Sequence, residues 1–406
     1  MSTMLKHFKS LLMRILHFFL YYLRKRIKIK MPHRVYGNSH YHTFIGYYDV
    51  QPFDKEEKSL LAGRVPHTHS GRAMDVSLEL GIINLESGEF DAFDKTPLWC
   101  WQQGCRLQWQ VYKEKNLIAY NTLSQDLAIC ALYDSDSHRR AYELPFPVYC
   151  FSRNGDLAAS LDFNYLELCR PGYGYDLGHE QDTNTYIRVY DTGNSELRME
   201  LRISDILSVN THPSMDEETA QHYFNHLHFN PSANRLMVFH IWEVEGKRRV
   251  RALTMNIDGS DIRDVTGGVH VSHYWWLDDD RLLFYGTDPA SGMGYHIYNQ
   301  DGSGLIETLD RDIPQIDGHP SSHPHNSGLI LSDTVQDRLF RRGLWLYDIA
   351  NKKRVYIGFL HSVATLKGPH RCDLHPRWSH SGRYICIDSA HKGYRQIVVL
   401  EALCAD

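Results

Sequence analysis

Asn225-His226-Leu227-His228-Phe229-Asn230-Pro231-Ser232-Ala233-Asn234-Arg235 runs directly into Leu236-Met237-Val238-Phe239-His240-Ile241-Trp242. The two flanks are rich in aromatic and β-branched residues, and the centre is a Pro/Asn/Ser turn, so the stretch reads as strand, tight turn, strand. The same pattern recurs downstream. Asp278-Asp279-Asp280-Arg281 precedes LLFYGTD, His325-Asn326-Ser327-Gly328 precedes LILSDT, and Ser379-His380-Ser381-Gly382-Arg383 precedes YICIDSA. A second hairpin signal, Asp258-Gly259 and Asp301-Gly302, joins the last two strands of a unit. Repetition of a four-strand unit every 40 to 50 residues or so predicts an all-β fold, a seven-bladed β-propeller with four-stranded blades. The first strands of the blades are expected to begin near Gly46, Cys105, Pro147, Asn225, Ser272, Gly318 and Asp373. The last unit ends one strand short, after Gln396–Leu400, and Val35–Thr43 is expected to supply the missing strand. Closing the ring in this way removes the free sheet edges. Two longer insertions, about Arg170–Thr183 and about Ser208–His222, interrupt the repeat and are the loops in which function is expected on a rigid scaffold.

The 406 residues, 42% of them hydrophobic, are ample for a large core. A formal net charge of −5 argues against a nucleic-acid partner. The charge is uneven: residues 1–32 carry eight Lys and Arg and no acid, which leaves −13 on the remainder. Eight cysteines without a CxxC pair exclude a zinc ribbon and suit a reducing compartment. Leu11–Leu23 is apolar and aromatic but spans 13 residues and contains Arg14 and His17, too short for the roughly 20 residues of a transmembrane helix. RKRIKIK follows in place of a small-residue cleavage site, which argues against a signal peptide. The division is therefore 1–32, a helical segment lying in a membrane interface, and 33–406, the propeller. Leu, Phe and Tyr would insert, and the basic residues would meet anionic head groups at about 1 kcal/mol per charge. This places the protein in the cytoplasm, peripheral on the inner face of the membrane.

The innermost strand of each blade lines the central channel. When the first strands are aligned on the turn that follows, His226, His273 and His375 share one position in blades four, five and seven. His319 takes it in blade six, with two extra residues allowed in HPSSHPHNSG. A structural repeat would normally place a small or apolar residue there. His370-Arg371-Cys372-Asp373-Leu374-His375 adds three ligand types at i, i+3 and i+5 on a turn entering a strand. The candidate metal ligands are accordingly His273, His370, Asp373 and His375; His319 either replaces His370, or supports the site or binds substrate. Three imidazoles and a carboxylate suit a divalent transition metal such as Mn, Fe, Ni or Zn.

SHYWWLDDDRLLFYG, HRCDLHPRWSHSGRYICIDS and NHLHFNPSANRLMVFH together resemble the oligogalacturonate lyase family of seven-bladed propellers (TolB/WD40-like repeats). The motif similarity is clearest over residues 222–400. Members of that family hold manganese through three His and one Gln. The resemblance matches His273 and His375 to two of the His, and places His370 where the Gln is expected and Asp373 where a His is expected, so two ligands differ in type. It implies Mn as the cofactor, an acidic oligo- or polysaccharide as substrate, and β-elimination at a uronate, in which a neutral histidine removes the C5 proton. His226 is the expected base, with His240 as the alternative. Tyr173, Tyr175 and His179 on the GYGY loop are expected to contact sugar or protonate the leaving oxygen, and Arg170 to bind a second carboxylate.

A non-catalytic, membrane-anchored propeller scaffold in polysaccharide biosynthesis is the alternative, since fold does not fix function. No P-loop, GxSxG or HExxH motif supports nucleotide-dependent, serine or zincin chemistry.

Overall fold

The computed structural model describes residues 11–12, 15–16, 19, 28–178, 182–216, 218–267, 270–309, 316–363 and 365–402. Seven antiparallel sheets follow one another along the chain. Blade one consists of Tyr41–Phe44, Ser59–Pro66, Leu78–Asn84 and Phe90–Thr96. In blades two to five the inner strands are Gln108–Tyr112, Cys150–Phe151, Gln221–Phe229 and Val271–Trp276, and in blades six and seven they are Ser321–His323 and Arg377–Trp378. This is the seven-bladed, four-stranded propeller expected from the repeat. The Asp-Gly turns lie where the hairpin signal placed them, Gly259 after Lys247–Asn256 and Gly302 after Gly292–Asn299, each with positive φ.

Closure uses a slightly different segment from the one expected. His33–Tyr36 pairs with Gln396–Glu401 and completes blade seven, whereas Tyr41–Phe44 belongs to the next sheet. Gly37, at φ 102°, makes the corner between them, a conformation that carries no steric penalty for glycine. The first strand of blade one therefore lies before Gly46, and GYYDVQP is the irregular run that follows it. Lys28–Ile29 adds a fifth strand to blade six.

Apolar side chains pack between adjacent sheets. One cluster joins Phe44 and Leu61 of blade one to Ile118 and Tyr120 of blade two, and another joins Leu331 and Leu344 of blade six to Ile385 and Val398 of blade seven. Buried polar residues on the second strands tie the blades together. Asn121 accepts from Val148 N and donates to Val148 O, both at 2.8 Å. Asp333 accepts from Leu374 N at 3.1 Å, and Asp388 from Ile45 N at 3.0 Å. Each thereby satisfies backbone groups beside the inner strand of the next blade that the sheet ladder leaves unpaired.

The chain is also bent beside or within those inner strands. Gly46 (φ 127°), Arg106 (58°), His226 (55°) and His375 (45°) adopt left-handed backbone. At His226 the pairing skips a residue between Asn225 and Leu227, so the ladder is interrupted and the side chain leaves the sheet. At Gly46 a Cβ would stand 2.8 Å from Gln103 O, so glycine is required there. No helix among the described residues is long and apolar enough to cross a membrane. Of the 1–32 segment, Leu11, Leu12, Ile15, Leu16 and Phe19 are helical and exposed; most of the remainder lies outside the described residues.

Candidate metal and substrate site

Four imidazoles from four consecutive blades gather at one end of the channel around Tyr47 and Tyr48. The His273 and His319 ring centroids are 4.2 Å apart, and those of His319 and His375 are 4.4 Å apart. Tyr47 stacks on His226 at 5.0 Å and meets His375 edge-on at 4.8 Å. Tyr48 lies 5.2 Å from His319. All four histidines are buried.

Three of the rings are oriented through Nδ1. His273 Nδ1 lies 2.8 Å from Asp317 Oδ1, His319 Nδ1 lies 2.8 Å from Asp333 Oδ1, and His375 Nδ1 lies 2.7 Å from Gly46 O. A carboxylate or carbonyl on Nδ1 fixes the tautomer and leaves Nε2 with its lone pair, the usual outer support of a metal-binding imidazole. His375 Nε2 is buried and has no hydrogen-bond partner. His319, Asp373 and His375 bring ligand atoms within 4.8 Å of one another.

The protonation states suit a cation. Burial pushes His375 well below the ordinary histidine value, and neighbouring His319 adds to this. Burial lowers His273 as well, against the pull of Asp317. Burial alone would raise the Asp373 carboxyl, but Arg342 and Arg371 outweigh it and hold Asp373 well below the carboxylate range. Neutral imidazoles and an ionised carboxylate are the forms that bind metal. The donor set therefore fits a divalent transition metal, with His319, His375 and Asp373 as the residues that would hold it and His273 beside them.

Asp373 has other partners too. Oδ1 is 2.7 Å from Arg342 Nη1, and Oδ2 accepts from Arg371 Nε at 2.8 Å. Arg371 Nη2 also donates to Tyr173 Oη at 2.6 Å, and the Arg170 guanidinium lies 4.0 Å from the centre of the Tyr173 ring. The GYGY loop thus delivers Tyr173 between two arginines. Arg170 ends the helix Phe163–Cys169, and Glu167 on that helix accepts from Gly172 N at 2.8 Å and Gly174 N at 3.1 Å.

His226 faces this group across Tyr47. Its Nδ1 lies 3.0 Å from Tyr149 Oη, and its Nε2 lies 3.4 Å from Tyr47 Oη. Burial, reinforced by Arg170, holds it neutral far below the ordinary histidine value.

Three expected residues lie elsewhere. His370 sits on the surface, bonded through Nε2 to Gly71 O at 2.9 Å and packed on Trp101. The turn Gly368–His370 ends before the chain enters the channel, so His319 is the third histidine of the cluster in its place. His240 is enclosed in blade four between His222, at 3.0 Å, and Arg251, at 3.0 Å, and stands outside the group of rings around Tyr47 and Tyr48. Tyr175 is core: it stacks on Phe163 and its hydroxyl accepts from Asn121. His179 lies outside the described residues.

Tyr47, Tyr48, Arg342 and Arg371 were not anticipated. The available signal was the Gly46-Tyr47-Tyr48 step, where a required glycine precedes two aromatics. Arg371 stands two residues before Asp373 in the quoted motif, whereas Arg342 carries no signal in the sequence, because only the fold brings it from blade six to Asp373 of blade seven.

No family model matches the sequence, and no curated protein matches it. Solved structures do. An oligogalacturonate lyase from Vibrio parahaemolyticus aligns over 93% of this chain and 98% of its own, with a TM-score of 0.60 and 13% identity. An oligogalacturonate lyase in complex with manganese aligns over the same shares, with a TM-score of 0.56 and 11% identity. The propeller domain of the trilobed protease of Pyrococcus furiosus aligns over 92% of this chain and 94% of its own, with a TM-score of 0.51 and 10% identity. The likeness to oligogalacturonate lyases is thus one of fold, and it extends to propellers of other function.

Proposed function

We propose that the protein is a metal-assisted polysaccharide lyase that cleaves a uronate-containing glycan by β-elimination. The observation that carries this reading is the set of Nδ1-anchored imidazoles, His273, His319 and His375, beside two arginines and a separately held neutral histidine. The fold it shares with manganese-bound oligogalacturonate lyase supports it. A bound divalent ion, Mn by that likeness, would supply Lewis acidity toward the uronate carboxylate.

The chain's own groups account for the remaining steps. Arg170 and Arg371, on either side of Tyr173, hold carboxylate oxygens of the glycan. His226 takes the C5 proton on Nε2, the nitrogen with the looser tyrosine partner. The C5–H electron pair forms the C4–C5 double bond as the C4–O bond breaks. Tyr173 accepts from Arg371, so its own O–H is free to protonate the departing oxygen. Residues 1–32 hold the enzyme on the cytoplasmic face of a membrane, with exposed Leu11, Leu12, Ile15, Leu16 and Phe19 as the inserting side.

A second reading rests on Tyr47. It is fully buried against His226, and a channel filled in this way also suits a non-catalytic, membrane-anchored scaffold. One assay separates the two. With Mn supplied and a panel of uronate polymers, the lyase produces ultraviolet absorbance from the new double bond, and His226→Ala abolishes it. Flat traces across the whole panel leave the scaffold.

A further inference from the structure

The large apolar side chains that the propeller leaves exposed are unevenly placed. Met74, Leu127, Leu168, Met293, Val335 and Leu339 are exposed. Each lies in or beside the connection between the second and third strands of its blade, in blades one, two, three, five and six. Those connections share one side of a propeller, and here it is the side of the histidine cluster. The blade-one connection carries Gly71, whose carbonyl meets His370 Nε2 at 2.9 Å, and the blade-three connection carries Tyr173, bonded to Arg371. The blade-six connection starts directly after Asp333, the partner of His319. The other such side chains among the described residues of the propeller, Leu197, Ile306 and Val355, stand on outer strands.

Single exposed apolar residues are ordinary on a soluble surface. A set of them at the turn tips of five blades describes a plane instead, and a plane of tips suits a flat partner better than a peptide, which needs a groove. The charges on the same rim agree with a lipid surface. Blade four presents exposed Lys247 and Arg249 beside Glu245, blade six presents Arg338 next to Leu339, and blade seven presents Lys392. The leader also approaches this rim. Lys28 and Ile29 lie opposite Phe359 and Gly358 on the outer strand of blade six. A Cβ at Gly358 would stand 2.4 Å from Lys28 O, so the glycine lets the leader strand lie down there. Toward its N-terminus this strand runs in the direction of His361 and Ser362, and Ser362 N donates to Phe340 O of the blade-six connection at 2.8 Å. The exposed Leu11, Leu12, Ile15, Leu16 and Phe19 therefore precede a strand that points to the same side.

We infer that the histidine-side rim is itself a lipid-contacting surface. Apolar turn tips enter the interface, the basic neighbours meet anionic head groups, and the histidine cluster faces the membrane. A ligand of that cluster is then one presented at the membrane surface. The partner is the one proposed for the leader, and the inference rests on that reading for its partner, while the lyase reading is not needed.

The test mixes the full chain with vesicles of equal parts phosphatidylcholine and phosphatidylglycerol, with and without brominated acyl chains. Leu127→Trp puts a reporter on blade two, across the ring from blade six where the leader docks, and Leu339→Trp puts one on blade six. Leu197→Trp, on an outer strand, is the control. All three positions are exposed, so the fold tolerates the change. Brominated chains should quench the added emission of Leu127→Trp and Leu339→Trp and leave that of Leu197→Trp unchanged. Leu127→Glu combined with Leu339→Glu should weaken vesicle partitioning about fivefold or more. Vesicle binding without quenching at Leu127→Trp overturns the inference and leaves the leader as the sole anchor, whereas no vesicle binding removes both. If the double Glu variant loses self-association but keeps full vesicle binding, the rim is a protein interface and the inference falls.

Discussion

His375 combines a left-handed backbone, at φ 45°, with an imidazole held at Nδ1 by Gly46 O. A backbone requirement alone would select glycine, because a Cβ in this region costs roughly 1–2 kcal/mol. The histidine is therefore retained for its side chain. Stability and metal content should separate these roles. His375→Gly should be more stable than His375→Ala by about 1 kcal/mol in urea unfolding, yet on the proposed reading both should bind added Mn less well than wild type. Equal stability would show that the backbone strain is absent.

Asp373 makes a complementary point. Both of its oxygens serve buried or half-buried arginines, and removing one partner of such a pair leaves unpaired charge. Asp373→Asn should destabilise the fold by about 3 kcal/mol, read as a lower urea midpoint. A neutral effect would mean that the arginines find other partners.

At the scale of elements, the helix Phe163–Cys169 and the GYGY loop behave as one unit through Glu167. Burial raises this carboxyl to about 7, even though the Gly172 and Gly174 N–H groups favour its charged form. A folded value above the unfolded one means that the folded state binds the extra proton. The contribution to stability is thus fully present below about pH 4.5 and is lost as pH rises through about 7. Glu167→Gln keeps an acceptor for the loop and cannot ionise. The variant should be more stable than wild type at about pH 8, by about 3 kcal/mol at most, with the gap vanishing near pH 4.5. A gap that persists at low pH would assign the effect to packing.

At the scale of the whole molecule, acid should open the ring. His42, His228 and His391 are each lowered to about 4, in every case chiefly by burial. A depressed folded value means that the unfolded state binds more protons between about pH 6.5 and 4, so stability is full above this window and falls within it. Each group contributes up to about 3 kcal/mol. Urea midpoints should therefore fall from about pH 7.5 to pH 5, and His228→Asn should flatten part of that fall. Midpoints that do not change would show that these rings stay solvated.

Periodic turns, alternating strands and Asp-Gly hairpins are local signals. From residues 225–242 and their repeats, the sequence alone determined a seven-bladed propeller closed by its own N-terminal strand. The shared register of His226, His273, His319 and His375 was legible for the same reason: a position in a repeat is a position in space. Which residues surround those rings was decided only by the tertiary structure. His370, five residues from His375 in the chain, turns away onto Trp101, while Arg342 and Asp317 arrive from other blades. Short-range spacing cannot encode that choice, because burial, charge pairing and the closing of the ring select partners by distance in space.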